Sequence, residues 1–392
     1  MTTEASPPAP RSARLTSLDG LRGIAAVVVL LHHSLLVVPL LATPYYEGTA
    51  APENGTWAWW LIDTPLHILW EGKGAVYVFF VLSGIVLTLP VLKAAGFSWR
   101  GFYPSRMIRL YLPVWAAVVF TVLTIQLIPR SGTEGSDWLQ ARINTVTPAN
   151  FIKDMTLVLG NGGLASPLWS LRWEILFSLA LPIFVWAACK WARLNWVKLI
   201  ACAAVVSIGG VTGNPILLYL PMFLVGSLLA IELPTLRSRF EQFNTRREAR
   251  MMWAAALLVA IVLLTSRWLM LGAGAPVFVL DATAGVMLVG ASLLVVWALY
   301  SPSARAFLDR SSVQWLGRIS FSLYLIHEPI VIASAYLFGP GLEWAAVTAA
   351  VPTAVVVGWL FYRLIELPSY RLAKFARARA RAHAPGPAVP VD

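Results

Sequence analysis

Ten apolar runs of about twenty residues recur along this 392-residue chain, and no other feature constrains its fold as tightly. A helix of about 20 apolar residues crosses the hydrocarbon core of a bilayer. Helices are the form that satisfies every backbone N–H and C=O inside such a segment. The runs fall at 20–41, 74–92, 107–128, 168–189, 196–212, 215–231, 251–271, 277–299, 319–338 and 342–363. Between the fifth and sixth, Gly209–Pro215 marks either a hairpin or a kinked turn. Composition agrees: 58% of residues are hydrophobic, 12% are charged and the mean hydropathy is +0.71. The sequence therefore predicts an all-α polytopic membrane protein of about ten transmembrane helices, with both termini on one side.

A net charge of +11 raises the question of nucleic acid, and the placement of the cations answers it. Arg11 and Arg14 precede the first run. Lys93, Arg100 and Arg106 follow the second, and Arg237, Arg239, Arg246, Arg247 and Arg250 follow the sixth. Cations in alternate loops follow the positive-inside rule, which puts both termini in the cytoplasm and excludes a nucleic-acid partner. The outer loop 129–167 carries Arg130, Arg142 and Lys153, offset by Glu134, Asp137 and Asp154. The sequence divides into a disordered N-terminus (1–17), a transmembrane domain (18–371) and a basic, disordered cytoplasmic tail (372–392) that includes His383. The first run lacks a small-residue cleavage site and reads as a retained anchor. Cys189 and Cys202 imply no disulfide framework, and no metal set can be built. The other long outer loop, 42–73, carries Trp57, Trp59, Trp60 and Trp70, which either anchor at the interface or line a vestibule for a sugar or lipid.

Within this apolar chain, the polar residues inside the runs mark candidate chemistry. Arg22 and His33 are eleven residues apart, close to three helical turns, so they share one face about 16 Å apart along the axis. That spacing puts Arg22 near a membrane surface and His33 near the midplane, where an ionisable group is costly and by default functional. A rim cation above a buried acid–base group suits a charged donor that reaches inward. His32 is turned about 100° away and reads as structural. Asp19 is either the helix cap or a salt-bridge partner of Arg22.

Other motifs add candidates. Ser83–Gly84 in the second run allows either close helix packing or a site role. Arg106 and Arg109 are three apart and therefore adjacent on a helix, able to grip phosphates bidentately or to anchor the chain. Glu174, in PLWSLRWEILF, can position an acceptor hydroxyl, hold a histidine, or pair with Arg172. Tyr324 and His327 share a face in the ninth run, where Pro329 loosens the helix. Glu366 precedes Pro368 and reads as part of a helix terminus.

Together these segments resemble a known family. LDGLRGIAAVVVLLHH, FFVLSG, SRMIRLYLP, LWSLRWEILF, FSLYLIHEP and IELPSYR occur in the order found in the acyltransferase-3 family of integral membrane O-acyltransferases. The resemblance runs from about Ser17 to Arg371. It implies that His33 and Arg22 are the family's signature pair, and that Arg106 and Arg109 are its paired arginines. Trp169, Ser170, Leu171 and Glu174 correspond to its tryptophan–serine–leucine…glutamate motif. Two departures stand out: the common paired glutamates are Glu174–Ile175 here, and Ser-Gly-Phe is Ser83-Gly84-Ile85. The expected activity is O-acyl transfer, acetyl first, from cytoplasmic acyl-CoA to a hydroxyl of a cell-surface carbohydrate or lipid-linked glycan in the bacterial plasma membrane. Acyl-CoA is then a co-substrate, and no cofactor is held permanently. The expected roles are His33 and Glu174 in catalysis and Arg22, Arg106 and Arg109 in donor binding. Asp19, Ser83, Gly84, Trp169, Ser170, Tyr324 and His327 would support them. A macrolide or other secondary metabolite is the alternative acceptor. The fused esterase-like domain of some relatives is not expected after the tenth run. A polytopic transporter of a polar or glycan substrate is the alternative of another class, although no internal repeat supports it.

Overall fold

The computed structural model describes residues 15–48, 53–93, 97–130, 135–142 and 144–382; Arg11, Arg14 and His383 lie outside them. Among the described residues all regular structure is helical. The chain opens with α1 (Thr16–Leu35), α2 (Pro39–Glu47), α3 (Trp57–Ile62) and a 3₁₀ turn at Pro65–Leu69. Then come α4 (Gly72–Leu92), α5 (Trp99–Leu127), α6 (Asp137–Gln140), α7 (Pro148–Thr156), α8 (Leu168–Leu179) and α9 (Leu181–Cys189). The second half holds α10 (Asn195–Thr212), α11 (Pro215–Phe243), α12 (Ala249–Leu264), α13 (Ser266–Gly272), α14 (Val277–Tyr300) and α15 (Pro302–Leu308). It closes with α16 (Ser311–Phe338), α17 (Glu343–Phe361), a π turn at Tyr362–Glu366 and α18 (Leu367–Ala382).

Eight helices are long and apolar enough to cross a membrane singly, and the pairs α8–α9 and α12–α13 bring the count to ten if each is one bent span. The protein is an all-α polytopic membrane protein. Both bends have local causes. The chain turns 67° between α8 and α9, where Pro182 in the first turn of α9 brings no N–H to the helical ladder. It turns 60° between α12 and α13 at buried Thr265, whose hydroxyl donates back to the Ile261 carbonyl at 2.9 Å. Such back-bonding competes with the helix ladder and bends it. The Gly209–Pro215 break is a hairpin: α10 and α11 pack side by side, and a Cβ at Gly209 would lie 2.4 Å from the Leu218 nitrogen.

Two close helix pairs hold the centre. α1 lies along α16, and α4 lies along α11. A Cβ at Gly84 would sit 2.3 Å from the Phe223 carbonyl oxygen, and one at Gly226 would sit 2.1 Å from that of Val81. Only glycine permits this backbone approach, the usual route to tight packing where lipid removes the hydrophobic drive. Large apolar side chains such as Leu127, Ile183, Met251 and Phe278 are exposed around the bundle, as a lipid-facing surface requires.

Three expectations are corrected. The first run does not continue to Leu41. α1 ends at Leu35 and the chain re-enters a helix at Pro39, with Val38 extended because proline disfavours a helical residue before it. His33 therefore lies in the last turn of α1. Asp19 is in the first turn of α1 but is not its cap; the cap position is Leu15. The tail is not irregular from residue 372: α18 runs to Ala382 and packs on α5, burying Ala373 and laying Arg377 against Gly101. The buried positions of this helix are small residues, Ser369 and Ala373, while Leu372 and Phe375 are exposed.

Candidate active site

α16 presents a line of buried polar side chains to the centre of the bundle. Ser322, His327 and Glu328 are fully buried and Tyr324 nearly so. Each has a partner on another element. The Ser322 hydroxyl donates to Glu366 Oε2 at 2.5 Å, which fastens the π turn. The Tyr324 hydroxyl donates to the Pro167 carbonyl at 3.1 Å and lies 2.7 Å from Ser170 Oγ. His327 faces α1, and Glu328 faces the outer loop. Pro329 is accommodated within a continuous α16.

His33 Nδ1 lies 2.7 Å from His327 Nε2, with the two rings stacked at 5.0 Å between centroids. His327 Nδ1 lies 3.1 Å from the Leu323 carbonyl oxygen. A carbonyl only accepts, so His327 Nδ1 carries a proton. In the neutral ring, its Nε2 is then an acceptor. His33 Nδ1 must then be the donor, which leaves the lone pair of neutral His33 on Nε2. Two hydrogen bonds thus fix both tautomers.

The lid over His33 comes from the loop before α8. Trp138 stacks on His33 at 5.7 Å and Arg142 lies over the Trp138 ring at 5.0 Å. Arg142 donates to Glu328 Oε1 at 3.0 Å and to the Tyr46 hydroxyl at 3.0 Å. Glu328 also accepts from the Ser166 backbone N–H at 2.5 Å and from the Ser166 hydroxyl. One buried carboxylate therefore fastens this loop to α16 at two points, Arg142 and Ser166. Below it, Asp154 accepts from the N–H groups of Gly162 at 2.6 Å and Leu164 at 2.9 Å. Burial pushes the Asp154 carboxyl up from its ordinary range, against the pull of those N–H groups.

His33 opens onto a cavity of about 290 Å³, the small end of the range for ligand pockets. Its wall includes Tyr45, Trp169, Tyr219 and Tyr324, together with Lys73 and the Arg267–Asp281 ion pair at 2.9 Å. His32 also reaches this wall, but its Nδ1 is committed to the Trp70 carbonyl at 3.0 Å. None of Trp57, Trp59, Trp60 and Trp70 lines the cavity; Trp57 and Trp60 are exposed and Trp70 is core.

The arginines divide into two roles. Arg106 is buried, forms an ion pair with Glu174 and donates from Nε to Ser178 Oγ at 3.2 Å. Ser83 completes the Glu174 environment with a hydroxyl at 3.4 Å, while Gly84 serves the α4–α11 contact. Glu174 thus pairs with Arg106, not Arg172, and bonds to neither histidine; the Arg172 guanidinium lies over the Trp173 ring at 5.6 Å. Arg109 stacks on the Tyr370 ring at 5.2 Å and is within electrostatic range of Arg22, Arg106 and Glu366. Arg22, Arg109 and Glu366 therefore form a second polar centre, on the side of α1 from which His33 is about 16 Å distant.

Sequence reasoning took Glu366 for part of a helix terminus and gave no site role to Glu328, Trp138 or Lys73. The first two carried a signal, a carboxylate inside or beside an apolar run. Trp138 and Lys73 carried none, because only tertiary folding brings α6 over His33 and the start of α4 to the cavity beside it.

A family model described as an acyltransferase domain matches residues 15–363. The chain belongs to this family, acyltransferase-3, and is a multi-pass membrane acyltransferase. It is 27% identical to acyltransferase MdmB of Streptomyces mycarofaciens over 97% of each chain. It is 25% identical to the O-acetyltransferase PaAT-1 of Phomopsis amygdali, over 92% of this chain and 84% of that one. No solved structure matches it.

Proposed function

We propose that this protein is an O-acyltransferase of the bacterial plasma membrane. It takes an acyl group, acetyl first, from cytoplasmic acyl-CoA and gives it to a hydroxyl of a cell-surface carbohydrate or lipid-linked glycan. The observation that carries the reading is the His33–His327 pair at the wall of a cavity, whose neutral tautomers leave the His33 lone pair on Nε2. The base removes the acceptor's proton as its oxygen bonds to the thioester carbonyl carbon. The C–S bond then breaks, and the CoA sulfur leaves with the proton from His33. General base action of this kind supplies about 10²–10⁴-fold. A lone pair on Nε2 equally suits a transient acyl-histidine.

The donor enters from the end that carries Arg22 and Arg109, assigned to the cytoplasm by the distribution of cations. Arg109 and Arg22 would take the CoA phosphates, because Arg106 is already engaged by Glu174. Glu174 would act by holding Arg106 and Ser83 in place. Aromatic walls at Tyr45, Trp169 and Tyr219 suit the apolar faces of a sugar ring, and the cavity has room for a small moiety rather than a polymer.

The test is transfer from labelled acetyl-CoA by protein in nanodiscs, with a cell-envelope extract of glycans and lipid-linked sugars as acceptor. Wild type is expected to label an acceptor, His33→Ala to bind CoA without transfer, and Arg22→Ala to lose CoA binding. Full transfer by His33→Ala would remove both versions of the mechanism.

A further inference from the structure

Among the described residues, the cavity beside His33 holds one ammonium group that makes no ion pair, although the Glu71 and Asp281 carboxylates lie within electrostatic range of it. Arg267 is neutralised by Asp281 at 2.9 Å. Glu71, the nearby carboxylate, accepts from the Gly74 N–H at 3.0 Å and the Trp268 indole at 2.7 Å, and lies 3.2 Å from His67 Nε2. Lys73 lines the cavity, remains accessible there and has no ion pair among the described residues. Its one close partner is the Tyr45 ring, 5.2 Å from Nζ. Tyr45 in turn packs edge-on against His32, the neighbour of His33.

The position of this lysine is built, not incidental. α4 starts hard against α1: a Cβ at Gly72 would fall 2.5 Å from the His32 ring. Glu71 is the capping residue of α4 and is held by the indole of Trp268 on α13. Lys73, two residues on, is therefore anchored at its backbone, while its ammonium makes no ion pair among the described residues.

We propose that Lys73 binds an anionic group of the acceptor, a carboxylate or a phosphate, and so selects an acidic acceptor for acylation at His33. The inference rests on reading the cavity as the acceptor site. A charge-assisted hydrogen bond of this kind gives roughly tenfold to hundredfold in affinity.

The experiment is calorimetric titration of the full chain in nanodiscs, without acyl donor. Two matched pairs serve as probes: methyl β-glucuronide against methyl β-glucoside, and glycerol 3-phosphate against glycerol. Wild type should bind at least one anion about tenfold or more tighter than its neutral match. Lys73→Gln should abolish that preference, and Lys73→Arg should retain it, since a guanidinium also stacks on Tyr45. CoA binding at the Arg109 end reports that each variant is folded. Equal affinity within both pairs, including no binding by any probe, overturns the proposal, as does a preference that survives Lys73→Gln. The two readings fail separately. Transfer that persists in His33→Ala defeats the mechanism and leaves the anion preference standing. Loss of the preference with His33-dependent transfer intact defeats only the role of Lys73.

Discussion

His327 accepts a hydrogen bond from His33 at 2.7 Å and can do so only because its own Nδ1 proton is held by the Leu323 carbonyl. A buried backbone carbonyl thereby sets the protonation pattern of an imidazole on another helix. The arrangement orients His33 without placing a negative charge beside it, as a carboxylate partner would.

His327→Phe removes the acceptor and frees His33 to take the other tautomer. The expected loss is about 10²-fold in kcat, at the low end of general-base contributions, with acyl-CoA affinity unchanged. His327→Gln, whose side-chain oxygen can accept from His33, should recover part of it. Steady-state kinetics with a measured CoA Kd separate the two effects. A parallel fall in CoA affinity would show that His327 holds the fold rather than the tautomer.

Glu174→Gln leaves Arg106 buried without its counter-charge. Breaking one side of a buried pair costs about 3–5 kcal/mol, so the variant should unfold at a markedly lower temperature. The double variant Arg106→Met/Glu174→Leu should regain much of that stability. Thermal unfolding in detergent with a fluorescent reporter measures both. Unchanged stability with abolished transfer would instead make Glu174 a catalytic group.

Arg109→Ala should weaken CoA binding about tenfold to hundredfold, the value of one charge-assisted contact. Arg109→Lys should restore little, because the Tyr370 ring matches a planar guanidinium. Equilibrium binding of CoA to nanodiscs checks this, with His33→Ala as the variant expected to bind normally.

Gly84→Ala drives a methyl group into the Phe223 carbonyl and must part α4 from α11. Overpacking of this kind costs about 1–3 kcal/mol. Thermal unfolding should register that loss. Gly48→Ala, with open space around the site, carries only the penalty of a left-handed backbone and serves as the comparison.

The architecture was legible because lipid leaves a chain few options. Ten apolar runs of spanning length can be satisfied only by helices, and the cations between them mark alternate loops. His33, Arg109 and Tyr324 were legible for the same reason, since a polar group inside such a run must have a use or a partner. The eleven-residue interval from Arg22 to His33 fixed their axial separation, a local property of one helix.

What only the tertiary structure decided was which partner each of these groups has. Helical spacing put Tyr324 and His327 on one face of α16 but not opposite Ser170 and His33. It left Glu174 a choice between a histidine, a hydroxyl and Arg172, and packing gave it Arg106. Trp138 over His33, Glu328 beneath Arg142 and Lys73 beside Tyr45 join segments from 28 to 186 residues apart, reached only once helices cross. Hydrophobic periodicity acts within one helix, whereas the pairing of buried polar groups is set where helices meet, because there an unpaired group costs most.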